Sequence, residues 1–573
     1  MKYLIVIAAN LLLLTSCKKY LDINPKGALT EADVTTVQSV DGLVTAAYAA
    51  IGNDFWSGPI TSMWAYGSIR SDDAYKGGGS VDDVGEINAY EQYNLTQPTT
   101  PGLFNNTWER AYAAISRANF ALRSLEKITD AAFPKKAVRQ GEMRFLRGHM
   151  YFVLKVLFNR VPYIDETMAD DEIIKVPNDQ LTNDQMWEKI AADFQFAIAN
   201  LPELQPEVGR ANQLSAKAYL AKVRLYQAYT QDDNHNVTGI NAAKLNEVLT
   251  LTNDVINSGK YKLQPDFAEN FLNGYDNGPE SVFAIQYSIN DGTNIGRLSM
   301  STSLNYSLAP QYGCCWFHIP SQNMVNAFGT DANGLPKFST FNDVVLTETE
   351  LTPGGASVDP RIDHTVAING HPFKYQTNIL YNHSWERVPA LYGGFGNMKE
   401  QQAADCPCFK KVGPFYGSSK NIDIIRYADV LLWRAEALIE TGRHAEALPL
   451  INQIRARAKQ STGRTKFANG TAPSNYNINE YVDGANINWT QANARIALQW
   501  ERRLEFAMES PRFFDLVRWG IAAETLNAYL DKEKTRRAYL ANAKFTKGRD
   551  EYLPIPQREI DFTKGLYKQN PKY

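Results

Sequence analysis

Apolar residues that recur every three or four positions dominate both ends of this 573-residue chain, and this spacing constrains its fold more than any other feature. Between Val138 and Phe158 they form one continuous stripe, which predicts an amphipathic helix with that face toward a core. The stripe consists of Met143, Leu146, Met150, Val153, Leu154 and Leu157. Leu214 to Tyr229 and Ala242 to Ile256 have similar spacing, so both are also predicted to be helical.

The segment from Leu181 to Met186 marks the start of another helix. Thr182 is placed to accept a hydrogen bond from the backbone amide of Gln185, whose side chain reaches back to Thr182, as in a capping box. Leu181 and Met186 have the spacing of a hydrophobic staple across the same turn. We therefore expect a helix that begins here and ends near Asn200.

Two helices are predicted to follow each other closely after residue 421. Their apolar faces are Ile424, Tyr427, Leu431, Ala435 and Leu438 for the first, and Leu448, Ile451, Ile454 and Ala458 for the second. Gly442 supplies the turn between them. Two facing helices of about 34 residues in total resemble one tetratricopeptide unit, and about three such units are needed for a continuous core. Because the earlier helices could supply the others, we predict a mainly α, tetratricopeptide-like scaffold of helix pairs.

The middle of the chain lacks helical stripes. Between about residues 262 and 420, Gly, Pro, Asn and Asp are dense, and Ser281 to Tyr287 alternates in the manner of a brief strand. A similar insert lies between Asn53 and Pro101. We expect one domain over residues 17–573, with the helical scaffold at about 27–260 and 421–530, and long irregular loop inserts with a few short strands. Loops on a rigid scaffold commonly carry recognition.

The N-terminus has the pattern of an export signal. Lys2 precedes an apolar run from Tyr3 to Leu14, which is too short for a comfortable membrane span, and Leu14-Thr15-Ser16-Cys17 resembles a bacterial lipobox. We expect residues 1–16 to be a lipoprotein signal peptide and Cys17 to be acylated. The alternative is an ordinary secretory peptide with an incidental cysteine.

The charge balance argues against nucleic acid as a partner. The formal net charge is −3, and removal of Lys2 with the signal would make it −4, without a long basic run anywhere. A nucleic-acid-binding surface normally needs a clustered excess of Lys and Arg. No other stretch approaches 18 unbroken apolar residues, so the lipid is the expected membrane attachment.

Five blocks of this sequence, taken in order, resemble the SusD/RagB family of surface nutrient-binding lipoproteins. They are Cys17 to Pro25, Arg139 to Pro162, Ile425 to Ala437, Glu501 to Gly520, and Leu553 to Pro556 with Gln569 to Pro571. The fourth block is the most specific. Two places depart from the family pattern: Ser510-Pro511 occupy a corner that usually has glycine, and Cys314-Cys315 precede Trp316 where a glycine-containing approach is expected.

The resemblance implies a binding protein without a catalytic site, cofactor or metal. Such a protein would be lipid-anchored in the outer membrane, exposed at the cell surface, and would cap a SusC-like TonB-dependent transporter. It would capture an oligosaccharide and deliver it to that transporter. The sequence does not name the glycan.

Charged residues in the fourth block could suggest catalysis, because Glu501 and Glu505 lie one helical turn apart. Two ionised carboxylates at this spacing repel each other, so we interpret them as part of a buried, charge-paired framework. The nearby arginines that could pair with them are Arg502, Arg503, Arg512 and Arg518. The same interpretation applies to Glu142 with Arg139 and to Arg434 with Glu436.

The two inserts are the expected ligand-binding regions, because sugars need flat apolar faces together with short polar side chains, and both inserts are rich in aromatic residues. A single loop aromatic more often covers the core than serves as a platform. With the family's arrangement as a guide, the predicted glycan contacts are Trp316, Asp73, Tyr90 and Tyr312. We expect Trp316→Ala to weaken glycan binding with little change in thermal stability.

Four cysteines remain beside Cys17, in two close pairs. Cys314 with Cys315 and Cys406 with Cys408 read as one or two disulfides in an oxidising compartment. Adjacent cysteines rarely bond to each other, so cross-pairing between the two loops is the favoured connectivity. A zinc site that uses these thiolates and His318 is an alternative, although the spacing is not that of a usual zinc knuckle.

Two other functions compete with glycan binding. The first is an exported glycan hydrolase on an α-helical scaffold, because two catalytic carboxylates leave no sequence motif. The second is an assembly protein whose helix pairs bind only a protein partner. No phosphate-binding loop, His-Glu-x-x-His or Gly-x-Ser-x-Gly motif occurs in the chain.

Overall fold

A computed structural model describes residues 34–53, 55–95, 102–294 and 296–573. The predicted signal peptide and Cys17 lie outside these residues. Across the described residues the fold is mainly α, with short two-stranded ribbons, as predicted.

The helices before the long insert share the N-terminal half of the chain. They are α1 (Val40–Ile51), α2 (Trp64–Gly67), α3 (Gly85–Gln92), α4 (Leu103–Glu126), α5 (Lys136–Phe158), α6 (Asp170–Ile173), α7 (Asn183–Asn200), α8 (Gln213–Ala228) and α9 (Ala242–Asn257). Three short helices lie within the insert: α10 (Gln322–Ala327), α11 (Ile362–Thr365) and α12 (Pro389–Tyr392). The remaining helices are α13 (Tyr427–Glu440), α14 (His444–Gln460), α15 (Gln491–Phe506), α16 (Pro511–Arg518), α17 (Ala522–Glu533) and α18 (Gln557–Phe562).

Neighbouring helices pack side by side in one array. The contacts run from α1 to α4, α5, α7, α8 and α9, and then pass directly to α13 and α14. The chain therefore leaves the array after α9, builds the insert, and rejoins the array at α13. This arrangement is the predicted tetratricopeptide-like scaffold.

Local signals set several helix ends where the sequence predicts them. The Thr182 hydroxyl accepts from the Gln185 amide at 3.2 Å, and the Gln185 side chain accepts from the Thr182 amide at 2.9 Å, so the capping box of α7 is confirmed. Gly442 adopts φ +81° between α13 and α14, a conformation that glycine tolerates best. The assignment of Ile424 to the first helical face was wrong, because Ile424 lies in a strand that ends at Arg426.

Short strands hold the inserts together. They are β1 (Ala74–Gly77), β2 (Tyr229–Gln231), β3 (Val237–Ile240), β4 (Ser281–Ile285), β5 (Phe317–Pro320), β6 (Ser357–Val358), β7 (Val366–Ile368), β8 (Pro372–Phe373), β9 (Gln376–Leu380), β10 (Phe395–Asn397), β11 (Phe409–Val412), β12 (Phe415–Ser418), β13 (Ile422–Arg426) and β14 (Asn475–Tyr476). β1 pairs antiparallel with β5, so Tyr75 lies opposite Ile319 and the two inserts are joined. β4 pairs with β13, which brings the start and the end of the long insert together.

Glu501 and Glu505 are fully buried in ion pairs, as the framework interpretation predicts. Their partners differ from the expected arginines: Glu501 contacts Arg361 at 2.6 Å and Arg455 at 3.1 Å. Glu505 contacts Arg361, Arg426 and Arg457 at 3.2, 2.8 and 2.5 Å. All four partners come from outside α15, which the proximity of charges along the sequence does not reveal.

Two smaller predicted pairs have different outcomes. Arg139 contacts Glu142 at 2.7 Å, as expected. The pairing of Arg434 with Glu436 was wrong: Arg434 donates to the backbone of Leu249, whereas Glu436 is held by Arg518 from α16. Side chains two positions apart point to different sides of a helix, which explains the error.

The Ser510-Pro511 corner is rebuilt without glycine. Ser510 adopts φ +78°, and Pro511 occupies the first turn of α16, where its missing N–H carries no cost.

Within the described ranges, none of the helices combines the length and the apolar character needed to cross a lipid bilayer.

Candidate functional site

All four predicted glycan contacts are buried. Trp316 and Asp73 have no exposed surface, Tyr90 retains 2% and Tyr312 retains 3%. A buried side chain offers no face to a sugar in this structure, so direct ligand contact by these four residues stays a prediction. Their neighbours are other side chains of the protein, and these contacts stabilise the inserts.

Trp316 and Tyr312 lie in two neighbouring aromatic clusters. Trp316 packs with Tyr75, Ile319 and Tyr392, and its indole N–H points to the Tyr381 hydroxyl at 3.3 Å. Tyr312 belongs to a cluster with Tyr306, Phe373, Tyr381 and Tyr416, and donates to the backbone of Gln402 at 2.6 Å. The structure thus brings these two residues into the same region of the long insert.

Tyr90 and Asp73 occupy other positions in the first insert. The Tyr90 hydroxyl donates to Glu86, and its ring contacts Tyr66. Asp73 lies 3.6 Å from Arg503, yet burial raises the pKa of its carboxyl to about 6 despite this arginine. Neither side chain faces solvent.

The cysteines form local disulfides, Cys314 with Cys315 and Cys406 with Cys408. This differs from the favoured cross-pairing, so no disulfide ties the two loops together among the described residues. Ring packing joins the two loops instead, because the ring centroid of Phe409 lies 5.5 Å from that of Tyr312 and 5.3 Å from that of Tyr306. The His318 imidazole lies 2.8 Å from Glu400 rather than among thiolates.

A cleft of about 690 Å³ opens where both inserts meet the C-terminal helices. Asp72 comes from the first insert, while Asn323 and a loop at residues 338–342 come from the second. α15 and α17 form the other side. This volume lies within the range of small-molecule sites, which are mostly apolar with a few placed polar groups.

Aromatic rings form the walls of this cleft. Trp500 of α15 packs against Phe341 and Phe338, with ring centroids 5.0 and 6.0 Å apart and nearly perpendicular planes. The Arg503 guanidinium lies 5.8 Å from Trp500 and 5.4 Å from Phe341. Trp500 remains partly exposed, and Ile496 one turn before it is 42% exposed.

The floor of the cleft is a cluster of ion pairs between Asp72 and Asp73 and the arginines Arg503 and Arg512. Asp72 accepts from Arg512 at 2.8 and 3.0 Å and pairs with Arg503 at 3.0 Å. Arg503 also donates to Asn323 at 2.6 Å. Burial acts to raise the pKa of Asp72, but the attraction of Arg503 and Arg512 outweighs it and holds this pKa below its ordinary value. Both arginines are therefore already paired with carboxylates of the protein.

Side-chain amides supply hydrogen-bonding groups at the rim. Within the described residues, the amide nitrogen of Asn342, the amide oxygen of Asn493 and both ends of Gln499 make no hydrogen bond. Uncharged amides can donate hydrogen bonds to sugar hydroxyls and accept hydrogen bonds from them. The neighbouring aromatic rings can pack against the C–H faces of a sugar.

Sequence reasoning missed this cleft because α15 was assigned wholly to the framework. One signal was present: Asn493, Ile496 and Trp500 recur at steps of three and four and therefore share a helix face. That face combines large apolar side chains with an amide. Its exposure depends on the loop at residues 338–342, which is distant in sequence.

A helical array with loop inserts that surround an aromatic and amide-lined cleft is the architecture of a ligand-binding protein. Residues 279–573 match the family model described as the SusD family, and the chain belongs to that family. Residues 19–225 match a second model, described as starch-binding associating with outer membrane.

Individual relatives are distant in sequence but extend over nearly the whole chain. SusD-like protein P2 of Formosa agariphila is 26% identical over 587 residues and covers all of both chains. A SusD homologue from Bacteroides thetaiotaomicron has a TM-score of 0.70 at 19% identity, over 95% of this chain and 99% of that one. Surface glycan-binding protein A from the same species, solved with laminarihexaose, has a TM-score of 0.67 at 21% identity, over 93% and 99%. These structures show that the fold is shared.

Proposed function

We propose that this protein is a glycan-binding lipoprotein that holds an oligosaccharide in the Trp500 cleft and delivers it to a SusC-like TonB-dependent transporter. The observation that carries the proposal is the cleft itself, in which aromatic walls and unpaired amides border about 690 Å³. The name of the laminarihexaose-bound relative supports an oligosaccharide as ligand. The lipobox resemblance around Cys17 supports attachment to the outer membrane.

The cleft favours a neutral glycan over an acidic one. Among the described lining residues the cations are Arg503 and Arg512; both pair with Asp72, and Arg503 also lies 3.6 Å from Asp73. A uronate or sulfate group would therefore have to displace an existing ion pair. Binding without hydrolysis is also favoured, because Asp72 is the only carboxylate among the described lining residues, whereas the usual glycosidase mechanisms need two.

The Trp500→Ala variant tests the binding site. We expect its affinity for the ligand to fall about tenfold or more, because a central aromatic platform is lost. Thermal stability should change little, since Trp500 is partly exposed. The measurement is isothermal titration calorimetry of the full-length protein in detergent with laminarihexaose, extended to a glycan array if that sugar does not bind.

The matched control is Phe562→Ala, which removes a ring that is 79% exposed and outside the cleft. Its affinity should equal that of the wild type. Equal affinity of Trp500→Ala and the wild type for a bound glycan would exclude the cleft. Stronger binding of an oligoguluronate than of a neutral hexasaccharide would contradict the neutral ligand, and new reducing ends over many turnovers would favour the hydrolase.

Cys17→Ser tests the membrane attachment. Without the thiol that is acylated, we expect the protein to leave the outer-membrane pellet and to appear in the soluble fraction of the cells. Immunoblots of fractionated cells measure this, with Cys408→Ser as a control for loss of a cysteine elsewhere. Retention of the Cys17→Ser variant in the membrane would show that the lipid is not the anchor. Co-purification of the wild type with a TonB-dependent transporter tests delivery.

A further inference from the structure

A second cavity, of about 130 Å³, lies where the helix array meets the C-terminal helices. Its walls include His149 of α5, Lys222 of α8, Asp429 and Trp433 of α13, and Arg502 of α15. It is separate from the Trp500 cleft and shares none of its lining residues. The volume is enough for a small ion with a few waters.

Lys222 lines this cavity, and its ammonium group lies among aromatic rings. The ammonium lies 4.7 Å from the Phe152 ring centre, 5.5 Å from Tyr219 and 6.0 Å from Trp433. It makes neither a hydrogen bond nor an ion pair with any residue in the described part of the chain. Buried or half-buried charges are normally paired. The absence of an ion-pair partner for Lys222 among the described residues is therefore unusual and leaves a place for a counter-ion.

Two further donors in the cavity wall, His149 Nε2 and Arg502 Nη1, make no hydrogen bond among the described residues, although Arg502 Nη1 lies 3.6 Å from Asp429. His149 is 2% exposed, and its Nδ1 lies 2.8 Å from the Tyr219 hydroxyl. When that hydroxyl donates to Nδ1, the imidazole hydrogen is on Nε2, which has no partner among the described residues. Arg502 is 3% exposed, and its Nη1 likewise makes no hydrogen bond there.

Two carboxylates in the cavity wall already accept hydrogen bonds from lysine or arginine side chains. Asp515 accepts from Arg502 at 2.6 Å and Arg518 at 2.9 Å, and Glu509 accepts from Lys399 at 2.6 Å and Arg426 at 3.0 Å.

The other two carboxylates have weaker partners. Asp423 accepts from Ser281 at 2.5 Å. Asp429 accepts from the Arg426 amide at 3.2 Å and lies 3.6 Å from Arg502. None of these four carboxylates is within ion-pair distance of Lys222.

We propose that this cavity binds a small free oxyanion of the size of sulfate or phosphate, held by Lys222 with hydrogen bonds from His149 and Arg502. Charge-assisted hydrogen bonds to an anion would satisfy the Lys222 ammonium and His149 Nε2, which have no other partner among the described residues, and would supplement the 3.6 Å ion pair of Arg502 Nη1 with Asp429. The pKa of Lys222 is consistent with a missing counter-ion, since burial lowers it to about 8 even though Asp429 acts to raise it. The cavity volume of about 130 Å³ leaves little room for a larger ligand.

The test is a calorimetric titration of the full-length protein in detergent with sodium sulfate at low millimolar concentration, with ionic strength held constant by sodium chloride. We expect saturable binding to the wild type and about a tenfold or greater loss of affinity in Lys222→Met, which keeps the aliphatic stem. Lys222→Gln serves as a second variant that retains a polar end. Thermal melts with and without sulfate report the same difference.

Lys189→Met is the matched control, because Lys189 also lies over a ring, 5.3 Å from Tyr163, but is exposed. It should bind sulfate like the wild type. Sulfate stabilises many proteins by exclusion from their surface, so only the difference between variants counts. Absence of saturable binding, or equal affinity in the wild type and both Lys222 variants, would overturn the proposal.

Discussion

Glu505→Ala is expected to lower the free energy of unfolding by about 3 to 5 kcal/mol, because it removes one partner from a fully buried ion cluster. Arg361, Arg426 and Arg457 would lose a shared carboxylate at distances of 2.5 to 3.2 Å. Their positive charges would remain buried beside one another. The measurement is chemical denaturation followed by circular dichroism, at neutral pH.

The same carboxylate should give the protein an acid-dependent stability component. Burial acts to raise the pKa of Glu505, but the attraction of Arg457, Arg426 and Arg361 is stronger and holds the pKa well below its ordinary value. A carboxyl whose pKa is lower in the folded state stabilises above its unfolded pKa, and this stability is lost as pH falls toward the folded value. We therefore expect the gap between the wild type and Glu505→Ala to be widest near neutrality and to narrow below about pH 4.

Glu446→Ala is the control for this prediction. Glu446 pairs with Arg443 at 2.7 Å, but both side chains are about half exposed, so its removal should leave the free energy of unfolding nearly unchanged. A cost for Glu505→Ala no larger than that of the control would mean that the buried cluster does not hold α15 in place.

The helical array could be predicted because its signals are local. The stripe of α5, the capping box at Thr182 and the turn at Gly442 each depend on residues within a few positions of one another. The framework role of Glu501 and Glu505 could also be inferred, since two like charges on one face require partners. Local sequence does not identify those partners: Arg361 lies 140 positions from Glu501.

The ligand-binding face could not be predicted residue by residue, because the burial of a loop aromatic depends on which distant segment covers it. Trp316 is covered by Tyr75 and Tyr392, and Tyr381, 65 positions away, meets its indole nitrogen. Trp500 is the reverse case: it belongs to a framework helix, yet the packing of the loop at residues 338–342 leaves its ring at a cleft. The composition showed that the inserts are rich in aromatic residues. It did not distinguish the rings that cover the core from the rings that could contact a ligand.

Trp316→Ala should therefore destabilise the protein rather than remove a ligand contact. The side chain has no exposed surface, and truncation would leave a cavity among Tyr75, Ile319 and Tyr392. Large-to-small changes of this kind cost about 3 to 5 kcal/mol. We expect a clearly lower unfolding midpoint in thermal melts, which reverses the expectation from sequence alone.

Comparison with Trp500→Ala separates the two roles. Trp316→Ala should lose stability but retain the wild-type affinity for glycan when binding is measured well below its melting temperature, because the Trp500 cleft does not include it. Trp500→Ala should lose affinity and keep its stability. If Trp316→Ala instead melts like the wild type and loses binding, then the ring is accessible in solution and the ligand contacts the long insert at Trp316 after all.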